Sequence, residues 1–201
     1  MQNNYYAHFE QMAREHESVF RAIFLYNRFD MPNLDDLIKT IKESQKTLFI
    51  LCGFPYAGKS FVAEELQKRT DIVYVSIDAI FHAHGFDWNT NKLPNPYEWQ
   101  KIFNESYEEA IMALTQRKNV LYDSTNQTIV SRNRLREVAH SVDANACVVY
   151  IKSSVEKVWK RWNENQEKST RSVVNKDLVR ITIDAFEVPT DNENVITIIN
   201  D

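Results

Sequence analysis

The sequence predicts an α/β fold of three layers, in which a mainly parallel sheet lies between two layers of helices. The first observation is an apolar run at residues 47–52, followed by a glycine-containing turn and a helical pattern at residues 60–69. The second is that apolar runs at residues 71–78 and 119–126 end in acidic or polar residues and alternate with amphipathic helices. Strands that alternate with helices favour parallel pairing in a single sheet.

The turn at residues 53–60 has the pattern G-x-x-x-x-G-K-S of a phosphate-binding loop. In this motif the backbone N–H groups point at phosphate oxygens, Lys59 reaches the β- and γ-phosphates, and Ser60 can ligate Mg²⁺. A strand before the loop and a helix after it are the context in which the motif binds a nucleoside triphosphate, so we expect a P-loop NTPase core. The nucleotide-binding residues predicted in this region are Gly53, Tyr56, Ala57, Gly58, Lys59, Ser60 and Phe61.

Composition limits the class of protein. A chain of 201 residues with 43% hydrophobic residues is long enough for one domain with an appendage. With a net charge of −4, the protein has no overall positive charge that would attract nucleic acid. A local basic patch could still bind it. Cys52 and Cys147 lie in apolar runs and are expected to be buried, reduced thiols, which fits a cytoplasmic protein. No apolar run is long enough to span a membrane.

The first part of the chain lacks recognisable chemistry. Apolar residues recur at helical spacing over residues 2–29, and Asn33 can cap a second helix. We expect a helical N-terminal appendage over residues 1–45, packed on a nucleotide-binding domain over residues 46–201. Its many aromatic residues leave a partner-binding or self-associating role open. His8 and His16 are expected to be surface or core histidines.

Two aspartates follow predicted strands, and ligands of open α/β sheets bind at the carboxyl ends of strands. Asp78 is therefore placed to face the γ-phosphate, where it can accept the proton of an attacking hydroxyl, although it can also cap the next helix. Asp123 is placed to reach Mg²⁺ directly or through water, or to bind the acceptor hydroxyl. Ser60 and Asp123 are thus the predicted metal ligands. Asn126 adds an amide that can bind substrate.

Residues 82–97 have the composition of a loop that can form one wall of an acceptor pocket. His82 and His84 in this loop can be catalytic or merely polar surface. Trp88 and Trp99 can stack on a base or a sugar, or pack in the core.

Three arginines are candidates for phosphate contacts. Arg132 lies shortly after the third strand, where its guanidinium could clamp a phosphate or belong to a solvated basic face. Arg161 and Arg171 flank a polar stretch, residues 163–171, that is typical of a mobile lid or of a plain surface loop. A lid over about residues 161–172 could bring arginine onto the transferring phosphoryl group. A last helix over residues 174–186 and a strand over residues 195–199 follow.

Several motifs together resemble a known family. They are G-F-P-Y-A-G-K-S, a strand ending in Asp78, D-S-T-N at residues 123–126 with Arg132 downstream, and F-E-V-P-T at residues 186–190. Over about residues 46–200 the chain resembles the P-loop kinase group that includes the 5′-kinase domain of polynucleotide kinases, zeta-toxin-like kinases and small ATP-binding kinases. The resemblance implies Lys59 and Ser60 on ATP·Mg²⁺, Asp78 as general base, Asp123 and Arg132 near the acceptor or metal, and Arg161 and Arg171 in the lid.

The sequence also departs from this group. Polynucleotide kinases commonly have an arginine that contacts the acceptor nucleotide where this chain has Phe81, and a second lid arginine where it has Gln166 and Glu167. These departures weigh against a polynucleotide acceptor. The favoured hypothesis is an ATP-dependent phosphotransferase that acts on a hydroxyl of a small molecule or a nucleic-acid 5′ end. The alternatives are an ATP-binding switch or assembly protein, and a toxin-like kinase.

Overall fold

The computed structural model describes residues 34–90, 92–168 and 173–200. The helix predicted over residues 2–29, with His8, His16 and Asn33, lies outside the described residues, as does Arg171. The first described helix is α1 (Leu34–Glu43), which buries Leu37, Ile38 and Ile41 in one apolar cluster with residues of the sheet. Helix α1 therefore belongs to the same compact unit as the sheet. The role of the preceding residues as an appendage stays a prediction.

A five-stranded sheet forms the centre of this unit, and every pair of neighbouring strands is parallel. The strands lie in the order β2-β3-β1-β4-β5, so the strand before the phosphate-binding loop is central. The predicted parallel sheet is confirmed, and the last strand has the predicted bounds. The strands are β1 (Thr47–Cys52), β2 (Val73–Ser76), β3 (Val120–Asp123), β4 (Asn145–Lys152) and β5 (Val195–Ile199).

Strand β1 is buried at all 6 of its positions, because helices cover both faces of the sheet. Side chains alternate between the faces along a strand. Leu48 and Ile50 accordingly pack in one core cluster, whereas Phe49 and Leu51 pack in the other. This double burial explains why β1 is a continuous apolar run and not an alternating one.

The helices complete three layers, as predicted. Helices α1 and α2 (Lys59–Arg69) cover one face, and α3 (Ile77–Ala83), α4 (Pro96–Thr115) and α5 (Ile129–His140) cover the other. Helices α6 (Val155–Lys168) and α7 (Lys176–Asp184) pack around Tyr56 of the loop. A 3-10 turn, Asp191–Glu193, leads into β5. None of the helices in the described ranges has the length and apolarity needed to cross a membrane.

The start of helix α4 is set by a capping box. The Asn95 side chain accepts hydrogen bonds from the N–H groups of Tyr97 and Glu98 at 2.9 and 3.0 Å. The Glu98 carboxylate accepts the Asn95 N–H in return at 2.8 Å, and Pro96 occupies the first helical position. Because helix α3 already ends at Ala83, the predicted loop over residues 82–97 is shortened at both ends.

Two sequence expectations about local structure are wrong. Strand β2 ends at Ser76, and it is the Ser76 hydroxyl, not Asp78, that caps α3 by accepting the Ala79 N–H at 3.2 Å. Asp78 lies in the first turn of that helix. The polar stretch at residues 163–171 is not a plain surface loop, because it is helical as far as Lys168 and contains no glycine or proline to stop α6. Its role as a lid stays a prediction.

Candidate active site

The phosphate-binding loop between β1 and α2 needs glycine at two positions. A side chain at Gly53 would bring its Cβ to 2.7 Å from the carbonyl oxygen of Ile151. Gly58 has φ +104° at the start of α2, a conformation that L-residues rarely adopt. Tyr56 at the crown of the loop also has positive φ, at 62°. The backbone therefore follows the tight path on which N–H groups can line up toward an anion.

Lys59 lies on the inside of this loop. Its ammonium donates to the carbonyl oxygens of Gly53 and Phe54 at 3.0 and 2.9 Å. Burial lowers the pKa of Lys59 below its ordinary value, and the negative charges of Asp123 and Asp78 oppose that shift. The lysine, both aspartates and the loop are thus within electrostatic reach of one another, as the sequence predicted. Ser60 and Phe61 follow at the exposed start of α2.

Asp123 ends β3, next to Ser76 of β2 in the parallel register. The Tyr74 hydroxyl donates to its Oδ2 at 2.7 Å. Burial raises the pKa of the Asp123 carboxyl, while Lys59 and the Tyr74 hydroxyl act to lower it. Tyr74 was missed by sequence reasoning. Its position two residues before the end of a strand that pairs with β3 is the signal that would have found it.

Asp78 is exposed at the carboxyl edge of the sheet, where an acceptor can approach it. The indole Nε1 of Trp88 donates to its Oδ1 at 3.4 Å. Trp88 stacks on the fully buried ring of Phe81 with centroids 4.7 Å apart. The indole therefore has a structural partner on one side and a candidate catalytic carboxylate on the other.

Trp88 and Phe81 begin a longer series of rings, which we call the aromatic row. Successive centroids lie 5.6 Å apart for Phe81–Trp99, 5.8 Å for Trp99–Phe103, 6.3 Å for Phe103–Tyr107 and 6.2 Å for Tyr107–Tyr122. Trp88 and Trp99 thus pack against the core, as the alternative interpretation held. The two loop histidines contact protein groups: His82 lies 3.0 Å from the Phe86 carbonyl and His84 lies 2.6 Å from Glu105.

Arg161 contacts the loop from outside. Its Nη1 donates to the carbonyl oxygens of Tyr56 and Ala57 at 3.1 and 3.0 Å. Asn200, just after β5, donates its side-chain amide to the same Ala57 oxygen at 2.7 Å and accepts from Arg161 at 3.3 Å. Nothing in the sequence pointed to Asn200, because its partner is far away along the chain. Both residues support the loop by binding its outward-facing carbonyls.

The prediction that Arg132 clamps a phosphate is wrong, and so is the alternative of a solvated basic face. Arg132 is fully buried and forms two hydrogen bonds to Glu193, at 2.7 and 3.0 Å. Its Nη1 donates to the carbonyl oxygen of Asn126 at 3.0 Å. Arg136 donates to Glu193 at 2.7 Å as well. These arginines therefore hold the turn before β5 against the end of β3.

Asn126 does not present its side-chain amide to a substrate, contrary to expectation. The amide donates to the Leu51 carbonyl oxygen at 2.6 Å. Cys52 is buried beside it, and burial raises the pKa of its thiol to about 11. Asn126 and Cys52 are therefore buried structural residues that support the backbone beside the site.

The segment after residue 172 is attached to the loop and to the residues near Asp78. The Val174 N–H donates to the Tyr56 hydroxyl at 3.2 Å, and the Trp162 indole donates to the Val174 carbonyl at 2.9 Å. The Val173 N–H donates to the Asn89 side chain at 2.9 Å. Arg161 thus contacts the phosphate-binding loop. The predicted roles of Arg161 and Arg171 toward the nucleotide stay predictions.

Comparison with known proteins agrees with this geometry. The model of the AAA domain family matches residues 48–189. The L-seryl-tRNA(Sec) kinase of Methanococcus maripaludis is 28% identical over 163 residues, which cover 70% of this chain and 60% of that relative. This chain therefore spans less than two thirds of its relative's length.

Solved structures share the fold. A chain in the structure of the Pnkp1/Rnl/Hen1 complex has 27% identity and a TM-score of 0.52, over 57% of this chain and 38% of that one. Chaetomium thermophilum Kti12 in complex with ADP-AlF3 has 17% identity and a TM-score of 0.52, over 76% of this chain and 88% of that one. The family match runs from β1 to Pro189 and covers more than half of the sequence. The chain therefore belongs to the AAA domain family.

Proposed function

We propose that this chain is an ATP-dependent phosphotransferase that moves the γ-phosphoryl group of ATP to a hydroxyl of an acceptor, either a small molecule or a nucleic-acid 5′ end. The observation that carries the proposal is the convergence of three charged side chains on one loop. Lys59 lies inside the phosphate-binding loop and interacts electrostatically with both Asp123 and Asp78. A cation beside two carboxylates at the carboxyl edge of a parallel sheet suits phosphoryl transfer between oxygens.

Each side chain has a separate role. Lys59 neutralises charge that develops on the β- and γ-phosphates. Asp78 is exposed and accepts the proton of the acceptor hydroxyl as the acceptor oxygen bonds to the γ-phosphorus and the bond to the ADP oxygen breaks. Asp123 is held in place by Tyr74. Arg161 and Asn200 keep the loop in its phosphate-binding shape by holding the carbonyl of Ala57.

Magnesium fits the donor set of this site. The candidate ligands are the hydroxyl of Ser60 and a carboxylate oxygen of Asp123, both of which are hard oxygen donors. No cluster of three or more acidic, histidine or cysteine side chains occurs within the described residues, and Mg²⁺ at nucleotide sites does not need one. When bound there, Mg²⁺ would supply positive charge next to the phosphates of the nucleotide.

The relatives support the reaction class only. One relative is named a seryl-tRNA kinase, one neighbour is part of the Pnkp1/Rnl/Hen1 complex, and another was solved with ADP-AlF3. We take from them an ATP-using kinase and leave the acceptor open. A cytoplasmic location is also proposed, supported by the free, buried state of both Cys52 and Cys147.

The test measures transfer of label from γ-labelled ATP to acceptors in a cell extract and in a panel of purified hydroxyl compounds. We expect Lys59→Met to abolish transfer and Asp78→Asn to reduce kcat by roughly 100-fold or more. Lys68→Met on the same helix and Asp71→Asn are matched controls, since both side chains are exposed. Full activity in Asp78→Asn would show that it is not the base. Binding of ATP without any labelled product would contradict the proposed function.

A further inference from the structure

A pocket of about 290 Å³ opens at the carboxyl end of β3, between helices α4 and α5. The residues that line one side are Ser124, Thr125, Gln127 and Thr128, which directly follow Asp123 in the chain. The pocket is thus a neighbour of the candidate active site and lies on the face of the sheet that α4 and α5 cover. Its volume is just below the range of small-molecule sites, which span roughly 300–1,000 Å³.

Aromatic rings form the apolar side of this pocket. Phe103, Tyr107 and Tyr122 line it, and these are the last three members of the aromatic row. The Tyr122 hydroxyl is fixed by a 2.7 Å hydrogen bond to Ser106, and its ring is fully buried beneath the pocket. Rings that are held in this way present π-faces without losing side-chain entropy on binding, which suits stacking with another planar ring.

The polar side of the pocket carries hydrogen-bonding groups without charge. None of the residues that line the pocket is charged. Within the part of the chain that the structure describes, the side chains of Ser124, Thr125 and Gln127 form no hydrogen bond. They therefore stay available to a ligand. The Arg134 guanidinium, a cation outside the lining, lies 5.8 Å from the centroid of the Tyr107 ring. A neutral ring with donors and acceptors on its edge finds aromatic partners for its face and uncharged polar partners for its edge.

We propose that this pocket binds a neutral, nucleobase-like heteroaromatic ring of the phosphoryl acceptor, with Phe103 and Tyr107 stacking on the ring and Gln127 bonding its edge. The inference rests on the proposed function, because it names the acceptor class of that site.

The aromatic row also connects the pocket to the catalytic edge. Its first member, Trp88, donates to Asp78, and its last member, Tyr122, precedes Asp123 in β3. A ring seated against Phe103 and Tyr107 would lie beside residues 124–128, the segment that follows Asp123. Such a ring can come from a free nucleoside or from the terminal residue of a strand, and the two sources share the chemistry of this pocket.

The first experiment compares acceptors. The four ribonucleosides, ribose and a short 5′-hydroxyl oligoribonucleotide are each incubated with γ-labelled ATP and the protein. We expect label to enter nucleosides or the oligonucleotide, with kcat/KM at least about tenfold above that of ribose, since stacking of one base contributes roughly 1–3 kcal/mol. Transfer to nucleosides alone identifies the free metabolite as the source, and transfer to the oligonucleotide alone identifies the strand end. Equal transfer to ribose and nucleosides overturns the inference while the proposed function stands.

The second experiment measures nucleoside binding by calorimetry in the absence of ATP, so that it does not depend on transfer. Phe103→Leu and Gln127→Ala should weaken binding about tenfold, whereas Tyr97→Leu should not change it. Tyr97 is the matched control because it lies on the same helix, is 65% exposed and is outside the pocket. Gln127→Ala changes a loop side chain without hydrogen bonds, so its effect is separable from a folding defect. Equal affinity in all three variants overturns the inference. Binding that responds as expected, without transfer to any acceptor, supports the pocket and refutes only the phosphotransferase.

Discussion

The side-chain amide of Asn200 donates to the carbonyl oxygen of Ala57 at 2.7 Å, so the end of the last strand is attached to the phosphate-binding loop. Arg161 donates to the same oxygen at 3.0 Å. With its outward carbonyl bound from two sides, the peptide plane after Ala57 is held in one orientation. The N–H groups on the other side of the loop are thereby kept in the orientation that binds phosphate.

Replacing Asn200 by leucine should raise the KM for ATP about tenfold, because one net hydrogen bond of about 1 kcal/mol and the contact to Arg161 are lost. The thermal unfolding midpoint should change little, since Asn200 is only half-buried. Asn192→Leu, at an exposed position of the 3-10 turn, is the control. An unchanged KM in Asn200→Leu would show that Arg161 alone suffices.

Gly58→Ala should weaken nucleotide binding for two separable reasons. The new Cβ would overlap the Asn200 side-chain nitrogen, and φ +104° is unfavourable for alanine. In the double variant with Asn200→Gly the steric conflict is relieved, while the backbone cost of about 1–2 kcal/mol and the loss of the Asn200–Ala57 hydrogen bond, about 1 kcal/mol, persist. The double variant should therefore bind ATP better than Gly58→Ala alone, as measured by calorimetry. If the single variant binds as well as the double one, Asn200 does not approach Gly58 in solution.

Glu193→Gln should destabilise the protein by about 3–5 kcal/mol at neutral pH, because Arg132 would stay buried without its carboxylate. Burial acts to raise the pKa of Glu193, but the hydrogen bonds from Arg132 and Arg136 outweigh it and lower the pKa to about 2. The stabilisation is therefore fully present above the unfolded-state value of about 4.5, and it disappears as pH falls toward 2.

Urea denaturation at several pH values checks this prediction. The stability difference between the wild type and Glu193→Gln should shrink as pH falls from about 4.5 toward 2. Glu137→Gln is the control, because its ion pair with Arg134 is exposed and contributes little. A difference that stays constant across this range would contradict the ion pairs as the cause.

Tyr74→Phe should move the acid limb of the pH–activity profile to higher pH. The Tyr74 hydroxyl hydrogen-bonds the ionised form of Asp123, so its removal raises the pKa of a carboxyl that burial has already raised. The wild type should therefore stay active at lower pH than the variant does. The measurement is kcat/KM for ATP against pH, with Tyr97→Phe as the exposed control. If the acid limb does not move, the ionisation of Asp123 does not limit activity at low pH.

The phosphate-binding loop and its flanking elements were predictable because their signals are local. A buried strand, two glycines with special geometry and a helix follow one another within residues 47–69, so no distant contact is needed to recognise them. Asp78 and Asp123 were found for a related reason: both follow apolar runs, and the carboxyl ends of parallel strands meet at one edge.

Arg132 shows where local reasoning failed. Its position after the third strand suggested a phosphate contact, but its partner Glu193 lies on a distant turn that no pattern links to it. A signal was present, because Arg132 shares a helix face with Leu135 and Ala139 at i, i+3 and i+7, and both are buried. The continuation of α6 to Lys168 was likewise readable from the lack of any helix-breaking residue.

The central place of β1 has a consequence for how the protein is made. Leu48 pairs with Val120, and Thr47 pairs with Asn145, so both neighbours of β1 are synthesised long after it. Closing such long loops is entropically costly and slow, and both edges of β1 are paired only after β3 and then β4 have been synthesised. A growing chain on the ribosome therefore carries a largely apolar β1 without a partner strand until β3 has emerged, and with one edge still unpaired until β4 has emerged. Competence to bind nucleotide should appear late and cooperatively during synthesis, and the nascent β1 segment is where a chaperone would be needed most.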